Sequence, residues 1–126
     1  MPERTWSGLG LEILGPRDFE GEKLRRPGRY VVTFGAAWCG PTRRFVSVFQ
    51  EWSKGVNARP AIADITDLKS PLWDVFHVKI TPTLVCFVEG SADFRLDGRR
   101  WIGIRERDLA SVALFLKGGT SPANPP

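Results

Sequence analysis

The chain has 126 residues, 42% of them hydrophobic and 25% charged, which suits one soluble globular domain built on a single core. No stretch approaches the ~18 consecutive apolar residues of a membrane span, and the first thirty residues hold no apolar run long enough for a secretory signal, so a cytoplasmic protein is expected. With two cysteines and one histidine, the chain carries neither a disulfide scaffold nor a clustered metal site, and its formal charge of +4 does not mark a nucleic-acid binder. The most arginine-rich segment, "FRLDGRRWIGIRERD", holds five arginines but also Asp97, Glu106 and Asp108, the mixture of a solvated, ion-paired surface.

In chain order, residues 1–8 lack periodicity and are expected to be flexible. "LGLEIL" reads as a short first strand. "PRDFEGEKLRR" reads as a short, weak helix interrupted by Gly21. "RYVVTFGA" is apolar on both faces and rich in β-branched and aromatic residues, as a central strand of a covered sheet should be. After Pro41 the period changes. Phe45, Val48, Phe49 and Trp52 recur at helical spacing opposite Arg43, Arg44, Ser47, Gln50, Glu51 and Lys54, and this helix should end near Gly55. "AIADI" is the next buried strand, and strand, helix, strand in that order implies parallel pairing through a right-handed crossover.

Ser70 and Pro71 form a start signal for a shorter helix carrying Leu72, Val75 and Phe76. "PTLVCFVEG" is a fourth strand, turned at Glu89 to Ser91 into a fifth within Ala92 to Trp101. Leu109, Val112 and Leu116 mark a last helix stopped by Gly118. Residues 118–126, "GGTSPANPP", are expected to be a disordered tail, which leaves 9–117 as the domain.

The chemistry concentrates at the junction of the central strand and the first long helix. A cysteine placed there meets unpaired backbone N–H groups and the positive end of the helix dipole, both of which favour a thiolate. Gly40 permits the tight turn, Pro41 sacrifices no hydrogen bond at that position, and Arg43 and Arg44 add positive potential. Cys86 lies in a run apolar on both sides and reads as core filler, not as a partner for Cys39. His77 and Trp73 read as boundary packing. Asp64 and Asp67 belong at a strand end and in a solvated loop and are not a catalytic pair.

The segments "VVTFGAAWCGPT", "ITPTLVCFVEG" and "WIGIRERDL" together resemble the thioredoxin family over roughly residues 9–117. The resemblance implies an α/β protein with the thioredoxin fold, a central mixed β-sheet flanked by helices. It maps Trp38, Cys39, Gly40 and Pro41 onto the family's motif, Thr81 and Pro82 onto a cis-proline segment facing it, and Gly103 onto a glycine near the peptide-binding groove. Thr42 departs from the pattern, because it stands where the family has its resolving cysteine. Thr33 and Ile62 stand where the family has a buried acid and a buried lysine. Three changes that remove the second thiol, its proton acceptor and the acid's companion agree with one another.

The expectation is a monomeric, cofactor-free thiol-disulfide exchange protein acting through Cys39, with Thr42 as the site's other distinguishing residue. Its partners would be a protein disulfide or a small thiol such as glutathione, with no nucleic acid or membrane involved. Trp38, Gly40, Pro41, Thr81, Pro82 and Gly103 would contact the substrate. The alternative is a redox-inactive protein-binding or chaperone-like module on the same fold.

Overall fold

The computed structural model describes Trp6 and residues 8–118; the expected disorder of 119–126 and of most of the first eight residues lies outside them. Five strands, β1 (Glu12–Leu14), β5 (Arg59–Asp64), β4 (Arg29–Gly35), β6 (Thr83–Val88) and β7 (Ser91–Asp97), form one sheet in that spatial order. The first two pairings are parallel and the last two antiparallel, so the sheet is mixed, as expected. A two-stranded hairpin, β2 (Phe19–Glu20) with β3 (Lys23–Leu24), stands apart from it. The helices are α1 (Gly40–Ser53), α2 (Leu72–Val75) and α3 (Leu109–Leu116).

Period-two alternation in the central strands builds a core on each face. Tyr30, Val32 and Phe34 of β4, with Val85 and Phe87 of β6, pack against Leu72 and Phe76 on one side. Val31, Leu84 and Cys86 pack against Phe45 and Phe49 of α1 and Leu109, Val112 and Leu116 of α3 on the other. The sheet is covered on both faces, which is why "RYVVTFG" and "TLVCFV" are mostly apolar and carry a single charged side chain, Arg29 at a strand end. Glu89 and Gly90 connect β6 to β7 with φ values of +49° and +89°, a two-residue turn whose backbone twist matches that of the flanking strands.

The expected helix over "PRDFEGEKLRR" does not form. Its residues make a single 3-10 turn, Pro16–Asp18, and then the β2–β3 hairpin. On a helix, Phe19 and Leu24 would lie about 140° apart, but as direct cross-strand partners both reach the core. Gly21, at φ +58°, supplies the turn. Phe19 then joins an aromatic cluster with ring centroids 5.2 Å from Phe76 and 5.9 Å from Phe34 and Phe87. Contacts of this kind are worth roughly 0.5–1.5 kcal/mol each beyond their buried area, more than the local propensities that favoured a helix. Arg26, bound to Glu12 and Asp18 at 3.0 and 2.7 Å, fastens the hairpin to β1.

Trp6 also departs from the sequence reading. It is buried against Val46 of α1 and Ile62 of β5, so apolar packing holds a residue of the segment expected to be flexible.

Candidate thiol-disulfide exchange site

Cys39 is the N-cap of α1, with an extended backbone that turns the chain out of β4 and into the helix. Its carbonyl accepts the Arg43 N–H at 3.1 Å, and its own N–H donates to Ala36 O at 3.1 Å. The half-buried thiol points at the Thr81 carbonyl, 3.4 Å away. The Thr81–Pro82 peptide bond is cis, and both residues are buried. Gly103, at φ +76°, closes the arrangement: a Cβ there would come 2.8 Å from Pro41 Cβ and 3.3 Å from Pro82 Cδ. Thus Cys39, Pro41, Thr81, Pro82 and Gly103, drawn from three separate chain segments, meet in one place, with Gly40 opening the helix between Cys39 and Pro41.

Burial pushes the Cys39 thiol up, but the net displacement is downward. The side chains of Thr42 and Thr81, the Thr42 backbone N–H and the charge of Arg43 all favour the thiolate. Thr42 is fully buried, and its Oγ1 has no hydrogen-bond partner while Cys39 directs its proton at Thr81. That hydroxyl is free to donate once the proton leaves, which reconciles its idleness beside the thiol with its contribution to the thiolate. The methyl of Thr42 fills the space over Gly35, where a Cβ would lie 2.4 Å from Thr42 Cγ2. Gly35 is therefore the counterpart of a β-branched residue at 42, a dependence that the strand pattern conceals.

Cys86, also a free cysteine, contrasts in burial and in acidity: it is buried in β6, and burial pushes its thiol up to about 12. The difference predicts selective chemistry. A limiting alkylating agent at neutral pH should label Cys39 first in the folded protein, and its labelling rate should fall off at a lower pH than that of an ordinary thiol. Equal labelling by mass mapping would refute the activation of Cys39.

The two thiols also have opposite effects on stability. The lowered Cys39 value adds stability that is present above the unfolded thiol pKa and lost as pH falls through the folded one. The raised Cys86 value adds stability held below the unfolded thiol pKa and lost as pH climbs toward about 12. Cys86→Val should therefore flatten the alkaline limb of a stability-versus-pH curve.

Thr33 and Ile62 are register partners on β4 and β5 and are both fully buried, so the two positions that resemble the family's acid and lysine lie side by side. Neither is ionisable here. Thr33 Oγ1 has no hydrogen-bond partner, and an unsatisfied buried hydroxyl costs on the order of 1–3 kcal/mol. Thr33→Val keeps the shape and removes the hydroxyl. It should stabilise the fold by about 1 kcal/mol, read as a higher denaturant midpoint at unchanged slope.

Four contributors escaped the sequence reading. Thr66 holds the loop before Cys39: its Oγ1 accepts the Ala37 N–H at 2.9 Å and donates to Asp64 at 2.5 Å, and its carbonyl accepts Trp38 Nε1 at 3.0 Å. Asp64 also accepts the Thr66 N–H at 3.0 Å, an Asp-x-Thr turn legible in "DIT". Trp73 stacks on the exposed Trp38, centroids 6.2 Å apart and planes 11° from parallel, so it is rim as well as boundary packing. Trp101 is 84% exposed in the loop that leads to Gly103. Asp67 is exposed, as expected of a solvated loop, whereas His77, read as boundary packing, lies exposed at the surface; the Asp67 carbonyl accepts Trp73 Nε1, and the His77 carbonyl accepts from Arg95.

A mixed sheet with a cysteine capping its first long helix, faced by a proline segment and a glycine loop, defines the class of thioredoxin-fold proteins. The profile of the Thioredoxin family matches residues 12–107, and the chain belongs to that family. A thioredoxin H-type protein of Oryza sativa subsp. indica is 26% identical over 106 residues, which cover 82% of each chain. Protein disulfide-isomerase 1 of Caenorhabditis elegans is 29% identical over 94 residues, 73% of this chain but 19% of that protein. The crystal structure of Chlamydomonas reinhardtii thioredoxin f2 superposes with a TM-score of 0.67 at 16% identity, covering 88% of this chain and all of the other, a likeness of fold alone.

Proposed function

We propose that this protein is a thiol-disulfide oxidoreductase that works through a single nucleophile, Cys39. The observation that carries the reading is a half-buried, thiolate-favouring cysteine at the start of α1 with Thr42, and no second thiol, one turn along. Family membership and the name borne by the disulfide-isomerase relative support disulfide chemistry in general.

The Cys39 thiolate attacks one sulfur of a substrate disulfide. The substrate's S–S bond breaks, its second sulfur leaves as thiolate, and a mixed disulfide to Cys39 forms. Thr42 offers a hydroxyl to the thiolate but cannot displace the captured sulfur. An external thiol such as glutathione then attacks the mixed disulfide, regenerating the Cys39 thiolate, and a second equivalent completes reduction of the substrate. The reading includes a monomer in a reducing, cytoplasmic compartment, where small thiols are abundant.

The test is turnover of a disulfide-linked peptide with and without excess glutathione. Without it, the protein should capture about one equivalent and stop; with it, turnover should continue. A second reading, a binding module, is favoured by the exposed apolar side chains of Trp38, Trp101 and Ile102, which need no chemistry to hold a peptide. Failure of Cys39 to form any mixed disulfide would select it.

A further inference from the structure

The surroundings of Cys39 carry more information than a small thiol would need. Arg43 and Arg44 are the fourth and fifth residues of α1, whose first turn holds no acidic residue, and their charge there opposes the helix dipole. Their guanidinium groups nevertheless converge beside the reactive cysteine: a Cβ on Gly40 would lie 3.3 Å from Arg44 Nη1 and 3.8 Å from Arg43 Nη2. Among the described residues, neither they nor Arg105 form an ion pair, whereas Arg26, Arg95 and Arg99 all do.

Between α1 and the loop that approaches α3 lies a depression of about 320 Å³, lined by Pro41, Arg44, Phe45, Trp101, Ile102 and Arg105, with Glu106 its one carboxylate. Trp101 overlooks it, 84% exposed and at φ +69°. A bulky residue in that backbone region is an outlier that persists where the surrounding structure imposes it, and such outliers cluster at binding sites.

We propose that this surface selects protein segments in which the disulfide cysteine is accompanied by an apolar side chain and by carboxylates. The proposal rests on the exchange chemistry of Cys39 and names the substrate class for it. The apolar side chain would sit in the depression against Trp101 and Ile102, while carboxylates meet Arg43, Arg44 and Arg105. A protein segment is the occupant because apolar contacts are offered on both sides of the thiol. The Trp38–Trp73 stack is anchored to Thr66 after β5, and Trp101 follows β7, with β4 and β6 between them in the sheet. The unpaired arginines supply the charge complementarity that orients the segment and speeds its encounter.

Peptides whose cysteine carries a thionitrobenzoate group provide the test. Attack by the Cys39 thiolate on the peptide sulfur forms the peptide–Cys39 disulfide and expels the coloured aromatic thiolate with the bonding pair, and mass measurement confirms the adduct. At low salt, a peptide with aromatic and acidic flanks should be captured about tenfold faster than one of equal length with aromatic and basic flanks, and the ratio should shrink at high salt. Charge reversal in Arg44→Glu with Arg105→Glu, both exposed positions, should invert that order. Trp101→Ser should remove the gain that an aromatic flank gives over a glycine flank. Equal capture of acidic and basic peptides by the unaltered protein would overturn the selection while leaving the exchange chemistry standing. No adduct with any activated peptide would overturn both.

Discussion

Replacing Thr42 by cysteine is expected to convert a protein that retains its captured peptide into one that expels it. In the unaltered protein, a mixed disulfide at Cys39 should persist until an external thiol is added. In Thr42→Cys the new thiolate attacks the Cys39 sulfur, a disulfide forms between Cys39 and the introduced thiol, and the peptide departs as thiolate. The attack is intramolecular. Effective molarities of well-placed groups far exceed millimolar external thiol, so single-turnover release without added thiol should accelerate by at least about a thousandfold. Position 42 is buried over Gly35, so the introduced sulfur fits the space the threonine methyl vacates, but burial also raises its pKa and Thr33 offers no carboxylate to accept its proton. Release should therefore speed up further when Thr33→Asp is added, at a cost in stability from a buried acid beside Ile62. If the internal disulfide forms and is reduced normally while a captured peptide stays bound, the missing thiol is not what holds it.

The second large effect is loss. Cys39→Ser should lower exchange by at least about a thousandfold, because an alcohol is neither ionised near neutral pH nor able to form the mixed disulfide. Folding should survive, since Cys39 is half-buried and its backbone bonds to Ala36 and Arg43 do not involve the sulfur. Cys86→Ser should do the reverse. Exchange should continue, but a hydroxyl at a fully buried site in β6 should cost on the order of 1–3 kcal/mol. If Cys39→Ser kept substantial exchange, the nucleophile would have to be sought elsewhere in the chain.

Several elements were legible in the residues because their causes are local. The switch from the apolar run of β4 to the helical spacing of Phe45, Phe49 and their neighbours marks the strand-to-helix junction, and Gly40 and Pro41 fix how the chain turns through it. From that position alone a thiolate-favouring Cys39 follows. Ser70 and Pro71 likewise announced α2, where Leu72 N–H finds Ser70 Oγ at 3.3 Å, and Gly118 ended α3 at φ +91°. The contrast between Cys39 and Cys86 was readable for the same reason: one sits in a turn signal and the other in an apolar alternation.

What only the tertiary structure decided depends on partners distant in sequence. Phe19 and Leu24 form a hairpin because Phe34, Phe76 and Phe87 offer a pocket that no window of the local sequence contains. Trp6 is buried because Val46 and Ile62 cover it. Thr66 steadies the loop before Cys39 from 29 residues away, and Gly35 is required by the methyl of Thr42 across the strand-to-helix turn. Hydrophobic period and turn chemistry record what a residue does to its own backbone, and Cys39, Gly40 and Pro41 were found that way. The rim of Trp73, Trp101, Arg43 and Arg44 exists only where the fold brings three segments to one edge of the sheet, and burial and unpaired charge are properties of that assembly.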